Sequence, residues 1–292
     1  MHFRKVTIIG VGLLGGSIGL AVKRRRLARE VTGFVRRTAS LKDCEQAGAV
    51  DCATTDLLAA VSNADLVILC IPISQMRSRV VEMLPALKRG AIVTDVGSVK
   101  AGVVREVCGP VRRAGAHFIG SHPMAGGEEA GVHAAKADLF LEAICVVTPT
   151  KNSNPTALRK VEQFWKLLGG RILRLTPQLH DKLVSRSSHL PHIVAATLVN
   201  SVLDPARSPT LAQLCANGFR DTTRIASGSP EMWRDIALAN RKNLSQAVGA
   251  FISELQGFQR ALNQADAKAI LRFLETAKER RDHWCTGSTS SE

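Results

Sequence analysis

The chain has 292 residues, of which 45% are hydrophobic, and carries a net charge of +14. This length fits two domains, and apolar residues spread along the whole chain exclude disorder as its main state. Aromatic residues make up only 4% and tyrosine is absent, which argues against a protein that stacks nucleic-acid bases on aromatic side chains. The seven cysteines are scattered without a C-x-x-C pair, so neither a disulfide framework nor a zinc site is predicted.

Most of the positive charge lies in the first part of the chain. Residues 1–176 contain 25 basic and 14 acidic side chains, a net charge of +11, and the remaining residues add only +3. We therefore expect an anionic partner on the first part. The longest apolar run, residues 66–73, is far shorter than the roughly 20 residues of a membrane span, and the N-terminus does not resemble a signal peptide. These features predict a cytoplasmic protein that binds no membrane.

Short apolar runs alternate with helical patterns over the first 150 residues. Consecutive apolar positions are typical of strands that are covered on both faces. The predicted strands are residues 6–9, 31–35, 66–71, 91–95, 117–120, 143–148 and 171–175, and the helices between them include 17–29, 41–47, 76–84 and 155–168. This alternation predicts an α/β fold with a parallel, doubly wound sheet.

The pattern changes after residue 177, where strand-like runs stop and helical periodicity continues to about residue 281. Residues 243–262 and 266–281 predict two long amphipathic helices. The predicted domain boundary therefore lies near residue 176, with an all-helical domain over residues 177–285. The polar residues 286–292 are expected to form a frayed tail.

A glycine-rich turn follows the first predicted strand and precedes a helix, with the sequence Gly-Val-Gly-Leu-Leu-Gly at residues 10–15. In this context the first glycine permits a tight turn and the second lets a pyrophosphate approach the backbone. The third lets the helix pack closely on the strand. We expect residues 1–176 to form a dinucleotide-binding domain whose contacts come from Gly10, Gly12, Leu13, Leu14 and Gly15. The alternative is a structural turn that binds no ligand.

The end of the second predicted strand bears on the choice of dinucleotide. A carboxylate there would accept a hydrogen bond from the ribose of NAD, but this strand continues into Arg36 and Arg37 with no acid in reach. A guanidinium matches a 2′-phosphate, which a carboxylate would repel. We therefore favour NADP, with Arg36 as the main candidate, and NAD as the alternative. The two arginines would otherwise be solvated loop charges.

Unusual polar residues follow two other predicted strands. Asp95-Val-Gly-Ser-Val-Lys100 follows residues 91–95, and Ser121-His122-Pro123 follows residues 117–120. Ligands of a doubly wound sheet bind beyond the carboxyl ends of its strands, so Ser98 and His122 are both expected in the cleft. A histidine can take a proton from an alcohol near neutral pH, and Ser98 would hold the same hydroxyl. For His122 the alternative is a strand cap.

Two further segments lie in the predicted helical domain, Ser-His-Leu-Pro-His at residues 188–192 and Gly-Phe-Arg-Asp-Thr-Thr-Arg at residues 218–224. His189 and His192 are three positions apart and share one face of a helix. No H-E-x-x-H pattern or third carboxylate ligand accompanies them, so no metal site is predicted. The alternatives are satisfied core positions for the two histidines, and an ion pair of Arg224 with Asp221.

These segments, taken in order, resemble the prephenate/arogenate dehydrogenase family of tyrosine biosynthesis. The resemblance covers about residues 5–285 and implies a Rossmann domain followed by an all-helical domain that forms a homodimer. It also implies oxidative decarboxylation of prephenate or arogenate. A hydride leaves C4 for the nicotinamide, CO2 leaves C1 and the ring becomes aromatic. On this reading the chain has no room for a chorismate mutase module before the dehydrogenase or a regulatory domain after it.

The same resemblance implies roles for individual residues. His122 matches the catalytic histidine that hydrogen-bonds the ring hydroxyl, and Ser98 matches a serine that shares this hydroxyl beside the cofactor. Arg224 matches an arginine that pairs with a substrate carboxylate. The substrate-binding residues implied are Ser121, Glu128, His189, His192 and Arg224. The choice between the keto acid prephenate and the amino acid arogenate stays open.

Two other classes compete with this interpretation. One is a different Rossmann dehydrogenase with a helical tail, of the β-hydroxyacid dehydrogenase or imine reductase type, which would leave the histidine segments without a purpose. The other is a regulator that binds nucleic acid through its net charge of +14. No recognition motif or interleaved aromatic residues support it, and attraction of anionic substrates explains the charge more simply. We therefore expect no nucleic-acid partner.

Overall fold

The computed structural model describes residues 2–127, 129–204 and 210–287, and the chain divides into two compact units, Met1–Arg241 and Lys242–Glu292. The described part of the first unit contains one eight-stranded sheet, in the order β3-β2-β1-β4-β5-β6-β7-β8. Its strands are β1 (Phe3–Ile9), β2 (Ala28–Phe34), β3 (Cys52–Thr54), β4 (Leu66–Leu69), β5 (Ile92–Asp95), β6 (His117–Pro123), β7 (Ile144–Thr148) and β8 (Arg171–Arg174). The direction of winding reverses between β1 and β4, where a doubly wound sheet opens a crevice.

Helices lie between most of these strands and follow the last one. The helices of the sheet region are α1 (Leu13–Arg24), α2 (Ala39–Gln46), α3 (Leu57–Val61), α4 (Ile73–Met83), α5 (Ala101–Arg113) and α6 (Pro155–Leu167). Those that follow are α7 (Pro177–Val184), α8 (Leu190–Val202), α9 (Asn217–Thr223), α10 (Pro230–Ala239), α11 (Arg241–Asn263) and α12 (Ala267–Gly287). The predicted α/β sheet followed by an all-helical region is confirmed.

Local sequence explains where several of these helices begin. In α6, α7 and α10 a proline occupies the first turn, where its missing N–H costs nothing. The residues before them, Asn154, Thr176 and Ser229, accept a hydrogen bond from a backbone N–H of that turn. Thr176 thus fixes the start of α7, the helix that carries the buried residues His180 and Asp181.

The sheet is covered on both faces, as the apolar runs predicted. Ile8 of β1 packs in one buried cluster, whereas the neighbouring Ile9 packs in the cluster on the other face. Ile68 and Leu69 of β4 divide between the two clusters in the same way. Successive side chains of a strand point to opposite faces, so two layers of helices are needed to bury them.

Two details of the sheet differ from the prediction. The sheet is not wholly parallel, because β6 and β7 pair antiparallel. The described residues of the connection between them contain a 3₁₀ turn at Val132–Ala134 but no crossover helix of the kind that a parallel pair needs. The short strand β3, which pairs with the edge of β2, was not predicted, since three residues are too few to show a period.

The second unit contains most of α11 and all of α12. Asp266 begins α12 by accepting a hydrogen bond from the N–H of Ala269 at 3.0 Å, and the rings of Phe258 and Phe273 lie 4.9 Å apart. Helix α12 continues through Thr286 to Gly287, two residues that were expected in the frayed tail, and the rest of that predicted tail, residues 288–292, lies outside the described residues. Within the described residues, no helix has the length and apolar character that crossing a bilayer requires.

The predicted domain boundary near residue 176 stays a prediction. Helices α7 to α10 fall in the same compact unit as the sheet, and α7 contacts α5 directly. Helix α7 therefore brings its polar residues to the N-terminus of a helix that follows β5.

Candidate active site

The glycine turn after β1 has the shape that its sequence predicted. Gly10 has a φ of +95°, and a Cβ there would lie 2.5 Å from the carbonyl oxygen of Cys70. At Gly15 a Cβ would lie 2.1 Å from the carbonyl oxygen of Gly10. Both positions therefore require glycine, one for conformation and both for close approach of backbone.

Gly12 differs from these two glycines, because a Cβ built there meets no described atom within 4 Å. It precedes Leu13 and Leu14 in the first turn of α1, which has no acidic residue and no side-chain cap among the described residues. Free N–H groups and the positive end of the helix dipole therefore face open space at the crevice. This geometry fits the pyrophosphate of a dinucleotide.

Arg36 and Arg37 are both exposed and lie directly after β2, whose last residue is Phe34. The backbone N–H of Gly10 donates to the carbonyl oxygen of Phe34 at 2.9 Å, so the two chain segments end side by side. The two guanidinium groups form no ion pair with the residues that the structure describes. They are therefore available to an anion at this end of the crevice.

Asp95 and Lys100 form an ion pair at the carboxyl end of β5, and both side chains are fully buried. The ammonium of Lys100 also donates to the carbonyl oxygen of Ser121 at 2.9 Å. The carboxylate of Asp95 accepts the backbone N–H groups of Gly97 and Ser121. Burial lowers the pKa of Lys100, and Asp95 opposes this shift. These hydrogen bonds offset the cost of burying two charges.

Ser121 is enclosed by hydrogen-bond partners from β5 and α6. Its side chain is fully buried, and its hydroxyl donates to the carbonyl oxygen of Asp95 at 2.7 Å. The hydroxyl also lies 2.8 Å from that of Thr94 and accepts the indole N–H of Trp165 at 3.0 Å. Neighbouring residues of a strand face opposite sides, so the side chains of Ser121 and His122 point to opposite faces of the sheet. That Ser121 binds substrate stays a prediction.

His122 is buried near the end of β6, where it pairs with Val146 of β7. Its Nδ1 lies 2.9 Å from Nε2 of His180, and Nδ1 of His180 lies 2.8 Å from Oδ1 of Asp181. Burial holds the pKa of His122 well below 6.5, and nearby His180, Lys100 and His189 act in the same direction. His122 is therefore neutral at pH 7 and able to accept a proton.

His189 and His192 lie on either side of the junction between a π-helical segment, Ser185–His189, and α8. Both contact the indole of Trp233, with ring centroids 6.1 Å apart for His189 and 3.5 Å apart for the stacked His192. The shared face that their spacing predicted is thus present. A π-helical turn often marks a functional site, since it shifts the side chains that follow it.

Two buried nitrogens in this group have no hydrogen-bond partner among the described residues, Nε2 of His189 and Nδ1 of His192. Burial lowers the pKa of His189 to about 4, partly offset by Asp181, and also lowers that of His192. Nδ1 of His189 lies 3.2 Å from the amide nitrogen of Asn240. Buried polar atoms are normally paired, so these two nitrogens fit a site that takes a polar ligand.

For the other predicted site residues, the structure gives fewer contacts with this group of histidines. Ser98 is half-buried between β5 and α5, and its backbone interacts with His189. Arg224 is exposed at the start of a 3₁₀ turn, Arg224–Ser227, which contacts α8. Glu128, predicted to lie near the cleft mouth, falls outside the described residues.

Several residues of this network were not predicted as site residues, namely His180, Asp181, Asn240 and Trp233. The amide of Asn240 also donates to the carbonyl oxygen of Asp181 at 2.8 Å. Contacts therefore run without a break from His122 through His180, Asp181, Asn240 and His189 to Trp233 and His192. The signal in the sequence was weak, a His-Asp pair in a helix that carries no other motif.

Comparison with known proteins gives consistent matches along the chain. The family model described as "Prephenate dehydrogenase, nucleotide-binding domain" matches residues 18–174, and "Prephenate dehydrogenase, dimerization domain" matches residues 176–276. The prephenate dehydrogenase of Bacillus subtilis is 34% identical over 97% of this chain and 77% of its own length. The cyclohexadienyl dehydrogenase of Zymomonas mobilis is 33% identical over 96% of this chain and 95% of its own length.

Solved structures agree with these relatives. A prephenate dehydrogenase from A. aeolicus, in complex with hydroxyphenyl propionate and NAD+, superposes with a TM-score of 0.91 at 30% identity. The match covers 97% of this chain and 99% of that one. The arogenate dehydrogenase of Synechocystis has a TM-score of 0.80 at 30% identity, and covers 96% of this chain and all of its own.

Proposed function

We propose a function from one premise: this chain belongs to the prephenate dehydrogenase family. It is an oxidoreductase that decarboxylates prephenate oxidatively in tyrosine biosynthesis and uses a nicotinamide dinucleotide. We assign the general base to His122. The observation that carries this assignment is a buried imidazole, neutral at pH 7, whose Nδ1 is engaged by His180. Its Nε2 would then meet the substrate hydroxyl.

For this oxidative decarboxylation the protein has to orient the substrate and to provide a proton acceptor. The nicotinamide, when bound, supplies the acceptor for the hydride that leaves C4. As the C4–O bond gains double-bond character, the hydroxyl proton moves onto Nε2 of His122. When the bond between C1 and the carboxylate breaks, its electrons pass into the ring, CO2 leaves and the oxygen recovers the proton. No net proton is released, and aromatisation makes the sequence strongly downhill.

The neighbouring groups are suited to hold the two ends of the substrate. Nε2 of His189 and Nδ1 of His192 have no partner among the described residues, and we assign them to polar groups of the substrate. Ser98, whose backbone interacts with His189, would share the ring hydroxyl with His122. The positive charge of Arg224 suits a substrate carboxylate.

For the cofactor we propose NADP, with NAD as the alternative. Gly10, Gly12, Leu13, Leu14 and Gly15 would hold the pyrophosphate. Two exposed guanidinium groups, Arg36 and Arg37, follow β2, where a carboxylate would be expected in a protein that prefers NAD. Arg36 would pair with the 2′-phosphate.

We also propose that the protein is a homodimer through its helical region. In the described part of the second unit, several large apolar side chains are exposed, which is costly unless a partner covers them. They are Ile252, Leu255, Leu262, Leu271, Phe273, Leu274 and Trp284. Sedimentation equilibrium should give twice the chain mass, and a monomer mass at micromolar concentration would contradict the proposal.

The first experiment is steady-state turnover, followed by the appearance of reduced nicotinamide. Prephenate and arogenate are each combined with NADP and NAD. We expect turnover of prephenate, and His122→Ala should lower kcat by about 10²–10⁴-fold, the usual contribution of a general base. His117→Ala, at the opposite end of the same strand, is the matched control and should retain activity.

The same set of assays tests the finer assignments. Arg36→Ala should raise KM for NADP and leave KM for NAD unchanged, whereas equal effects on both would contradict the NADP proposal. Faster turnover of arogenate than of prephenate would make arogenate the substrate. Absence of turnover in every combination, in a folded protein, would overturn the proposed function.

A further inference from the structure

A chain of hydrogen bonds connects His122 to a buried carboxylate. It runs from His122 Nδ1 to His180 Nε2 at 2.9 Å, and from His180 Nδ1 to Asp181 Oδ1 at 2.8 Å. We propose that His180, held by Asp181, is a positioning residue that fixes His122 in the tautomer with an unprotonated Nε2. The proposal rests on the function proposed above, in which His122 is the base.

The direction of these hydrogen bonds follows from the groups that contact Asp181. Both oxygens of Asp181 accept backbone N–H groups at the start of α5, from Lys100 at 2.7 Å and from Ala101 at 2.9 Å. A backbone N–H can only donate, so the carboxylate is an acceptor on both oxygens. The positive end of the α5 dipole stabilises its negative charge. Nδ1 of His180 therefore carries the proton and donates to Asp181.

The protonation of His180 determines that of His122. A neutral imidazole has one N–H donor and one acceptor nitrogen, so with Nδ1 protonated, Nε2 of His180 is an acceptor. Nδ1 of His122 must then donate to it, which leaves the lone pair on Nε2 of His122. The two rings meet edge to face, at 73° and 5.1 Å between centroids, an arrangement in which an N–H of one ring points at a nitrogen of the other.

The surroundings of His122 make this selection necessary. The charged and titratable groups that face it are Lys100 before α5, His180 and Asp181 on α7, and His189 before α8. Burial, with nearby Lys100 acting in the same direction, keeps His122 neutral at pH 7. A neutral imidazole in the wrong tautomer would present an N–H to the substrate hydroxyl and could not accept its proton. The hydrogen bond to His180 excludes that tautomer.

The same series of hydrogen bonds stabilises the positively charged form of His122 that arises during the reaction. When Nε2 takes the hydroxyl proton, the Nδ1–H of His122 is already hydrogen-bonded to His180. The carboxylate of Asp181 lies one imidazole away and offsets the new positive charge. No proton needs to move along the chain, because orientation and charge are enough.

Two variants of His180 separate positioning from folding. In His180→Leu the acceptor for Nδ1 of His122 is lost, whereas the side-chain oxygen of His180→Gln can still accept that N–H. We expect His180→Leu to lower kcat about 10²–10³-fold with KM for prephenate within about threefold, by analogy with loss of the correct tautomer in other bases. His180→Gln should recover kcat to within about tenfold of the wild type. Equal kcat in the wild type and His180→Leu would overturn the proposal.

A spectroscopic measurement tests the tautomer without any turnover. In ¹⁵N spectra of the histidine-labelled protein at pH 7, we expect His122 to show a protonated Nδ1 and an unprotonated Nε2. Its signals are assigned by their loss in His122→Ala. A protonated Nε2 in the wild type would refute the positioning role, even if prephenate turned over. The expected tautomer in a protein that turned over neither substrate would refute the proposed function and retain the hydrogen-bond assignment. Should His180→Leu fail to fold, the wild-type spectrum and His180→Gln still decide the question.

Discussion

The glycine turn after β1 and the histidine network around His122 both lie at the carboxyl ends of strands in the same sheet, but the turn is formed by backbone and the network by side chains. The turn uses six consecutive residues, and what matters in it is backbone conformation and the absence of side chains. The network uses side chains from β6, from α7, from the π-helical segment and α8, and from α10 and the residue that follows it. They are separated by up to 118 positions, between His122 and Asn240. The turn is specified locally, whereas the network exists only when the helices have docked.

The two regions also differ in the free energy needed to form them. The turn leaves its polar groups open to solvent, so its cost is mainly backbone strain and close packing. The network buries Asp181 and several histidines, and the ion pair of Asp95 and Lys100 is buried beside it. Each of these groups would destabilise the fold without its partners. We expect stability in this protein to depend more on completing the network than on any single apolar contact.

The largest effect is expected from breaking the buried ion pair beside the network. Lys100→Met leaves the carboxylate of Asp95 buried with only backbone N–H partners, and should lower the free energy of unfolding by about 3–5 kcal/mol. Lys23→Met is the matched control, because Lys23 pairs with Asp51 at 2.7 Å where both side chains are partly exposed. Its loss should cost less than about 1 kcal/mol. Urea unfolding measures both, and losses of equal size would contradict the role assigned to burial.

Features specified by neighbouring residues could be predicted from the sequence, whereas contacts between distant residues could not. All strands except the three-residue β3, and the turn at residues 10–15, were predicted because each has a local period or motif. His122, His189 and His192 were singled out by motif, and the structure brings all three into one network. His180 and Asp181 were missed because what makes them special is their contact with His122 and with the start of α5. The hydrogen bonds of the Ser121 hydroxyl to Thr94, Asp95 and Trp165 were missed for the same reason, since they join residues that are distant in the sequence.

The pH dependence of stability should come mainly from the network. Burial lowers the pKa of His189 from 6.5 to about 4, so below pH 6.5 the unfolded chain binds a proton that the folded protein does not. Stability should therefore fall as the pH decreases from about 6.5 to about 4, and His189 alone should contribute a slope of about 1.4 kcal/mol per pH unit. Above pH 6.5 this contribution is constant.

Urea unfolding at several pH values tests this expectation with two variants. His189→Gln should give a flatter dependence between pH 4 and pH 6.5 than the wild type. His283→Gln removes an exposed histidine of α12 and should keep the wild-type slope. A slope that is unchanged in His189→Gln would mean that the acid sensitivity arises elsewhere, for instance from His122.

The smallest effects on stability are expected at the glycine turn, where two neighbouring glycines should respond differently. Gly15→Ala places a Cβ 2.1 Å from the carbonyl oxygen of Gly10 and should cost about 1–3 kcal/mol of stability. Gly12→Ala meets no described atom within 4 Å, so its unfolding free energy should stay within about 0.5 kcal/mol of the wild type. Its Cβ would instead occupy the space proposed for the pyrophosphate and should weaken dinucleotide binding at least about tenfold, a loss of about 1.4 kcal/mol. Calorimetric titration with NADP and NAD measures this, and unchanged affinity in Gly12→Ala would mean that the turn is structural and the dinucleotide binds elsewhere.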